Sequence, residues 1–189
     1  MPKMYIIAGC NGAGKTTASY TVLPEMLHCN EFVNADEIAK GLSPFNPESV
    51  AIDAGRIMLS RINSLMNSGV DFAFETTLAV RSFERLIKTA QSKGYFVTLL
   101  YFLLSSPEHA VERVAMRVMD GGHNIPTEII YRRYRSGIKN LFSIYMPICD
   151  YWLICDNTEV GIKKLASGER EKGADIAKKM ILEIIENYE

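Results

Sequence analysis

The segment Gly9-Cys10-Asn11-Gly12-Ala13-Gly14-Lys15-Thr16 constrains this chain more than any other feature. It matches the pattern G-x-x-x-x-G-K-[S/T] in full. In such a loop the glycines let backbone N–H groups approach an anion closely, and the helix that follows points its positive end at the same anion. An apolar run at residues 4–8 precedes the loop. The sequence therefore predicts a strand, a phosphate-binding loop and a helix, in that order.

Individual residues of the loop have separate predicted roles. We expect Lys15 to neutralise the β- and γ-phosphates of ATP, and the Thr16 hydroxyl to hold Mg²⁺. The backbone of the loop supplies the remaining contacts. The predicted ATP-binding residues are Gly9, Asn11, Gly12, Ala13, Gly14, Lys15, Thr16 and Thr17.

Short apolar runs alternate with helical patterns along the whole chain. Strands are predicted at residues 4–8, 31–35, 70–74, 95–104 and 151–155, with helices between them. A short extended piece at 160–166 and a helix at 175–188 follow. Alternating strands and helices predict an α/β fold with a five-stranded, mainly parallel sheet flanked by helices. We predict a single P-loop NTPase domain of the nucleotide-kinase type over residues 1–189, with a helical lid at about 107–142.

The composition excludes several classes of protein. Apolar residues make up 48% of the 189 residues and charged residues 23%, which excludes wholesale disorder. The formal net charge of −1 argues against a general nucleic-acid binder. No apolar stretch is long enough to span a membrane, and the four cysteines show no C-x-x-C pair. We expect a cytoplasmic protein with reduced thiols and no membrane partner.

Two acidic residues fall at predicted strand ends, where ligands bind in sheets of this kind. Asp36 follows the second strand and Glu75 follows the third. Each has an ordinary alternative as a helix cap or a solvated turn residue. Beside a phosphate loop, the pair also suits a phosphoryl-acceptor site. In that interpretation Asp36 takes the proton of an attacking hydroxyl, and Glu75 binds acceptor hydroxyls or a metal-bound water.

Basic residues concentrate between residues 113 and 139, where six basic side chains occur with two acidic ones. The basic residues are Arg113, Arg117, Arg132, Arg133, Arg135 and Lys139. Three interpretations are open: a solvated helix face, a nucleic-acid patch, and a lid hinged at Gly121-Gly122 whose arginines close on the transferring phosphate. Beside a phosphate loop we favour the lid. We expect His123, on the hinge, to be a loop side chain that can reach phosphate when the lid closes.

Five segments occur in a characteristic order along residues 4–168. They are Gly9–Thr17, Phe32–Glu37, Phe72–Thr77, Lys93-Gly94-Tyr95, and Val111-Glu112-Arg113 leading into Gly-Gly-His-Asn-Ile-Pro. This ordered set resembles the zeta-toxin family of P-loop kinases, in particular its short members that carry the label ABC-type ATPase. The set is much more specific than the phosphate loop, which many NTPases share.

The resemblance implies an activity and a set of site residues. Zeta toxins are ATP-dependent kinases of UDP-N-acetylglucosamine, a small-molecule phosphoryl acceptor. The resemblance implies that Asp36 is the catalytic aspartate on the acceptor side, with Glu75 and Thr76 also binding substrate. It implies that lid arginines stabilise the transferring phosphate, and it suggests an antitoxin protein as a candidate partner. The implied catalytic residues are Asp36, Lys15, Arg113, Arg117 and Arg133, with Arg132 as an alternative lid arginine.

Two other functions stay open on the sequence. A non-catalytic or regulatory NTP-binding module needs the loop without turnover. A polynucleotide 5′-hydroxyl kinase would use the basic segment to bind nucleic acid. The net charge of −1 argues against this last function. We expect an ATP-dependent kinase with a hydroxyl acceptor.

Overall fold

The computed structural model describes residues 1–122, 124–159, 161–170 and 172–186. Six strands form a sheet in the spatial order β2-β3-β1-β4-β5-β6. The first five strands run parallel and β6 runs antiparallel to β5. The strands are β1 Lys3–Gly9, β2 Phe32–Val33, β3 Phe72–Thr76, β4 Phe96–Leu103, β5 Tyr151–Asp156 and β6 Lys163–Gly168.

The predicted α/β fold with a mainly parallel sheet is confirmed. The extended piece near residues 160–166 is a sixth strand that joins this sheet, one more than the five predicted. Only a few residues separate β5 from β6, and so short a connection can join two neighbouring strands only in antiparallel fashion.

Helices pack around this sheet. The first predicted helix, residues 15–27, is regular only as far as Thr21, and Val22–Met26 form a wider π-type turn. Pro24 explains the change, because proline has no N–H to donate and its ring crowds the preceding turn. The helices are α1 Lys15–Thr21, α2 Ala35–Leu42, α3 Ala51–Ser68, α4 Phe83–Ser92, α5 Pro107–Met119, α6 Thr127–Asn140, α7 Met146–Ile148 and α8 Ala174–Glu186.

Several element boundaries differ from the predictions. Strand β2 has two residues because Asn34 leaves the strand to cap α2. Glu75 lies within β3, and not after it as predicted, because pairing with β1 continues through Ala8 and Thr76. A 3-10 turn over Pro47–Val50 precedes α3. The end of the predicted helix at residues 187–188, like His123, lies outside the described residues.

The core lies on both faces of the sheet. Alternate residues of β1 point to opposite faces, so Ile6 packs with Ile62 of α3 on one side and Ile7 packs with Ala18 of α1 and Val114 of α5 on the other. These side chains are almost fully buried. A strand buried on both faces reads as a continuous apolar run, and this is why β1 was readily predicted.

The strand order sets the position of the functional site. Strand β1 lies between β3 and β4, so the chain reverses its direction of travel across the sheet at this strand. In open parallel sheets, the crevice at such a reversal lies outside the carboxyl ends of the strands and is where ligands bind. Gly9 ends β1 at this crevice. Within the described part of the chain, none of the helices is both long enough and apolar enough to cross a membrane.

Candidate active site

The loop after β1 has a concave backbone that only glycine tolerates at its key positions. Gly9 and Gly12 have φ angles of 146° and 78°, a region that other residues rarely adopt. A Cβ at Gly12 would lie 2.9 Å from the carbonyl oxygen of Ala110. The amide of Ala13 donates to the Cys10 carbonyl at 3.3 Å, which closes the turn. Backbone N–H groups in consecutive turns of this kind form an anion-binding cradle.

Lys15 and Thr16 converge on one carboxylate. The Lys15 ammonium is buried, donates to the Cys10 carbonyl at 2.8 Å and lies 3.5 Å from Glu75 Oε1. The Thr16 hydroxyl donates to Glu75 Oε2 at 2.7 Å. A buried charge needs such partners because it has lost its water shell. The carboxylate therefore holds the two side chains that follow the glycines of the loop.

Asn34 extends this group of side chains to the next helix, and the sequence analysis missed it. Its Nδ2 donates to Glu75 Oε2 at 2.9 Å and lies 3.4 Å from Thr16 Oγ1. Its Oδ1 accepts from the amides of Asp36 and Glu37, at 2.8 and 3.4 Å, and so caps α2. The sequence signal was an asparagine between a strand and a helix, which predicts a cap. The contacts of its amide nitrogen depend on the tertiary structure.

A cavity of 180 Å³ lies beside these side chains. It brings together several of the predicted site residues, which are Asn11, Lys15, Asp36, Glu75, Thr76 and Arg133. Asp36 lies in the first turn of α2, and its side chain is exposed to the solvent and to this cavity. A second cavity of 250 Å³ adjoins the first and shares Ala35, Asp36 and Arg133 with it.

The predicted lid arginines occupy different places. Arg133 Nη1 donates to Asn11 Oδ1 at 3.3 Å. Burial lowers the pKa of the Arg133 guanidinium, and the charge of Asp36 opposes that shift. Arg113 Nη2 donates to the Thr158 carbonyl at 2.7 Å. Of the described residues that line the two cavities, the only lid arginine is Arg133.

Neither cavity is lined by the other arginines of the segment, which are Arg117, Arg132 and Arg135. The side chain of Arg117 packs against the backbone at Gly122, where an added Cβ would lie 2.7 Å from Arg117 Cγ. Arg132 and Arg135 are exposed. Gly121, at the predicted hinge, has a φ of 86°.

The turn after β5 supports the loop from its outer side, and it too was missed. Asn157 Nδ2 donates to the Ala13 carbonyl at 2.9 Å. Thr158 is held by Asp156, whose Oδ1 accepts from its amide and its hydroxyl at 2.9 and 2.6 Å. An Asp-Asn-Thr segment after a strand predicts only a turn. The order of β1, β4 and β5 in the sheet brings that turn to the phosphate loop.

The side chains near the loop suit hard-cation chemistry better than thiol chemistry. Across residues 1–122, 124–159, 161–170 and 172–186, no group of three or more His, Cys, Asp or Glu side chains could hold a metal. A threonine hydroxyl beside a carboxylate is nevertheless a donor set that suits Mg²⁺, which keeps several water ligands and also binds phosphates.

Burial raises the pKa of the Cys10 thiol to about 11. Cys10 is therefore a packing residue, buried in the apolar cluster behind the loop.

Comparison with known proteins places the chain in a class and then in a family. The parallel sheet and the loop are those of a P-loop kinase fold. Residues 1–145 match the sequence model of the family described as Zeta toxin. An uncharacterized protein of Haemophilus influenzae (strain ATCC 51907 / DSM 11121 / KW20 / Rd) is 32% identical over 133 residues, which cover 70% of this chain and 92% of that protein. The chain belongs to the zeta-toxin family.

Solved structures show the same fold at low sequence identity. The structure of the PezAT chromosomal toxin-antitoxin system of Streptococcus pneumoniae has a TM-score of 0.72 at 18% identity, covering 99% of this chain and 85% of that chain. The structure of AvrRxo1-ORF1:-ORF2 with ATP has a TM-score of 0.73 at 17% identity. The match covers 96% of this chain and 64% of that chain. The structure of a gluconokinase of Sinorhizobium meliloti 1021 has a TM-score of 0.53 at 13% identity. The match covers 99% of this chain and 95% of that chain.

Proposed function

We propose that this protein is an ATP-dependent kinase that transfers the γ-phosphate of ATP to a hydroxyl of a small molecule. The observation that supports it most directly is the cavity at the carboxyl edge of the sheet, around which Lys15, Asp36, Glu75 and Arg133 meet. Membership of the zeta-toxin family supports nucleotide-binding phosphotransfer. UDP-N-acetylglucosamine, which the family resemblance implies as acceptor, is one of the compounds to test.

On the donor side, the backbone of the loop and the side chains of Lys15 and Thr16 bind ATP. Backbone N–H groups of the loop surround the phosphates, and the Lys15 ammonium neutralises part of their charge. Thr16 and Glu75 are the residues that would hold Mg²⁺, which neutralises charge developing on the β- and γ-phosphates when bound. Glu75 also orients Lys15 and Thr16 through its two carboxylate oxygens.

On the acceptor side, Asp36 accepts the proton of the acceptor hydroxyl. The acceptor oxygen forms a bond to the γ-phosphorus while the bond to the β–γ bridging oxygen breaks, and ADP leaves. In a loose transition state the base mainly orients the hydroxyl and collects its proton late, so an exposed carboxylate is adequate. The Arg133 guanidinium, which lines the same cavity as Asp36, stabilises the charge on the transferring group.

The segment at about residues 107–142 is the proposed lid. Closure about Gly121 and Gly122 would bring Arg113 and Arg117 towards the phosphates, since Arg113 already lies against the loop at Gly12. The related PezAT structure is described as a toxin-antitoxin system. This supports an antitoxin protein as the proposed partner of this chain.

The test is transfer of label from γ-labelled ATP to a panel of nucleotide sugars, nucleosides, small alcohols and nucleic-acid ends. Asp36→Asn should lower transfer by on the order of 10²-fold or more, the usual size of general-base loss. Its ATP affinity should stay within about twofold of wild type, because Asp36 serves the acceptor and not the nucleotide. Asp53→Asn, an exposed first-turn carboxylate of α3 paired with Arg56, is the matched control and should match wild type.

Each alternative function has its own outcome. ATP binding with no labelled acceptor would favour a non-catalytic NTP-binding module. Label on nucleic-acid ends alone would favour a polynucleotide kinase. Transfer by Asp36→Asn at the wild-type rate would return Asp36 to an ordinary residue of the first helical turn.

A further inference from the structure

The two adjoining cavities form one site with two chemically different halves. We call the 180 Å³ cavity the polar lobe and the 250 Å³ cavity the apolar lobe. They meet at Ala35, Asp36 and Arg133, which line both. Together their volumes fall in the lower half of the roughly 300–1,000 Å³ range of small-molecule pockets. A ligand that reaches Asp36 can therefore occupy both lobes.

The lining of the two lobes differs in polarity. Asn11, Lys15, Asn34, Glu75, Thr76 and Thr77 contribute polar or charged groups to the polar lobe. The apolar lobe lies between α2, the turn before α3 and the segment that enters α6. Its walls are mainly the side chains of Ala39, Pro47, Ala51, Ile125, Pro126 and Ile129. An apolar wall of this kind favours an apolar ligand group, because burying apolar surface away from water lowers the free energy.

The charges around the apolar lobe do not suit an anion. Among the described residues that line it, the charged ones are Asp36, Glu48 and Arg133. Arg133 is the cation of that set, and it also donates to Asn11 in the polar lobe. A diphosphate that leaves water needs several charge-assisted donors, commonly arginines, to replace its hydration. One arginine beside two carboxylates does not provide them.

We propose that the acceptor carries no phosphate and consists of two parts. Its reacting hydroxyl lies in the polar lobe beside Asp36, and its uncharged, largely apolar remainder packs in the apolar lobe. This inference rests on the proposed kinase function and narrows its acceptor class. It separates this chain from relatives that act on a nucleotide sugar, because a nucleoside diphosphate group finds no matching counter-charges in the apolar lobe.

The first experiment asks which charge class of small molecule is phosphorylated. A small-molecule extract of bacterial cells is divided by anion exchange into a non-retained, uncharged or cationic fraction and a retained, anionic fraction. Each fraction is incubated with the full chain and γ-labelled ATP, and purified UDP-N-acetylglucosamine is run beside them. We expect labelled product from the non-retained fraction, at least about tenfold above that from either anionic sample, the discrimination that a mismatched pocket typically gives.

The outcomes separate this inference from the proposed function. Label confined to the retained fraction, or efficient transfer to UDP-N-acetylglucosamine, would overturn the inference while leaving the kinase function supported. Absence of label in every sample, with ATP bound, would overturn the kinase function and this inference with it.

The second experiment tests the apolar lobe itself. Ala51→Phe places a large side chain in the lobe from an exposed position, so the fold should tolerate it. Ile129→Lys introduces a cation there. Both should lower labelling of the non-retained fraction at subsaturating concentration by on the order of tenfold, and Ile129→Lys should raise labelling of the anionic fraction. Ile52→Lys is the matched control, because Ile52 is 75% exposed and lines neither lobe.

ATP affinity and the thermal unfolding midpoint are measured for all three variants. Loss of labelling with unchanged ATP affinity and midpoint would support the acceptor site. If Ile129→Lys lowers the thermal unfolding midpoint, the result for Ala51→Phe decides whether the acceptor uses the apolar lobe. A folded Ala51→Phe protein that labels the non-retained fraction as wild type does would show that the lobe is not used, and would overturn the inference.

Discussion

The side-chain amide of Asn34 donates to Glu75 at 2.9 Å, while the carbonyl of the same side chain caps the helix that carries Asp36. Both ends of one amide are therefore committed, and the side chain cannot flip without losing contacts at each end. This contact joins the carboxylate beside Lys15 and Thr16 to the helix on the acceptor side. Asn34 therefore gives a direct polar connection between the two halves of the proposed reaction.

Asn34→Ser and Asn34→Ala should separate the two roles of this side chain. Serine keeps an oxygen that caps α2 but loses the amide donor, whereas alanine loses both. We expect both variants to lower turnover by on the order of tenfold, since about one charge-assisted hydrogen bond is lost. Alanine should also lower the free energy of unfolding by about 1 kcal/mol more than serine does. Denaturant unfolding and transfer kinetics measure the two effects.

A second cap provides the stability control for this prediction. The hydroxyl of Ser106 caps α5 by accepting from the His109 amide at 3.2 Å. Ser106→Ala should lower the free energy of unfolding by a similar amount, about 1 kcal/mol. Wild-type turnover in Asn34→Ser would show that the amide contact with Glu75 has no part in catalysis.

Glu75→Gln should weaken the link between Mg²⁺ and ATP binding. The amide keeps an acceptor for the Thr16 hydroxyl but removes the negative charge beside Lys15 and at the proposed metal site. We expect turnover to fall by on the order of 10²-fold, as when a positioned charge is lost from an active site. The ratio of ATP affinities with Mg²⁺ and with a chelator should approach one.

Glu31→Gln is the control for the Glu75 variant. Glu31 forms an exposed ion pair with Arg61 at 2.7 Å, and such pairs contribute about 0–1 kcal/mol. It should leave both turnover and the Mg²⁺ dependence unchanged. A Glu75→Gln protein with the Mg²⁺ dependence of wild type would remove Glu75 from the proposed metal site.

Arg133→Ala should lower kcat more than it lowers ATP affinity. Its guanidinium lines the cavity that contains Asp36, so its charge acts mainly on the phosphate in transfer. Loss of one preorganised donor typically costs about 3 kcal/mol, or ~10²-fold in rate. Arg113→Ala and Arg117→Ala should give losses of the same kind if the lid closes. Arg132→Ala, at an exposed neighbouring position, is the matched control.

Salt dependence separates the three interpretations of the arginine segment. Turnover of each variant is measured at two salt concentrations. Small, additive losses with a steep salt dependence would indicate a nucleic-acid patch. Near-wild-type rates in all four variants would leave a solvated helix face and end the lid proposal.

The buried thiol of Cys10 should make the protein less stable at alkaline pH. Burial raises its pKa from 9.0 to about 11, so the folded protein holds this proton at a pH where the unfolded chain has released it. The protonated thiol therefore contributes to the free energy of unfolding. This contribution is complete below about pH 9 and is lost as the pH rises towards 11. A shift of this size corresponds to about 3 kcal/mol, since one pKa unit is about 1.4 kcal/mol.

Denaturant unfolding at pH 7, 9, 10 and 11 measures this effect. Cys10→Ala provides the comparison, because it removes the thiol and leaves a small apolar side chain. The free energy of unfolding of this variant should fall less steeply above pH 9 than that of wild type. Some decrease should remain, because the other thiols are still present. Identical pH profiles for the two proteins would show that Cys10 has an ordinary pKa.

Local sequence determined the parts of the site that depend on neighbouring residues. The phosphate loop, the start of α5 at Pro107 and the end of α3 at Gly69 follow from backbone preferences within a few positions of each residue. The buried parallel strands were predicted from another local signal, their short and mostly apolar runs. Long-range pairing moved one boundary, at Glu75 in β3. The changes at Pro24 and Asn34 have local causes, a missing N–H donor and a helix cap.

Tertiary structure alone decided which of these local pieces meet. Asn34 and Glu75 are 41 residues apart, and their contact depends on the register that pairs β2 and β3 beside β1. Adjacent residues of a helix point in directions about 100° apart, so periodicity alone places Arg132 and Arg133 of α6 on different faces. It carries no information on the neighbouring element. In the folded chain Arg133 bonds to Asn11 and Arg113 bonds to Thr158. The physical reason is that backbone preferences act over a few residues, whereas sheet order and helix packing are set by burial of the whole core.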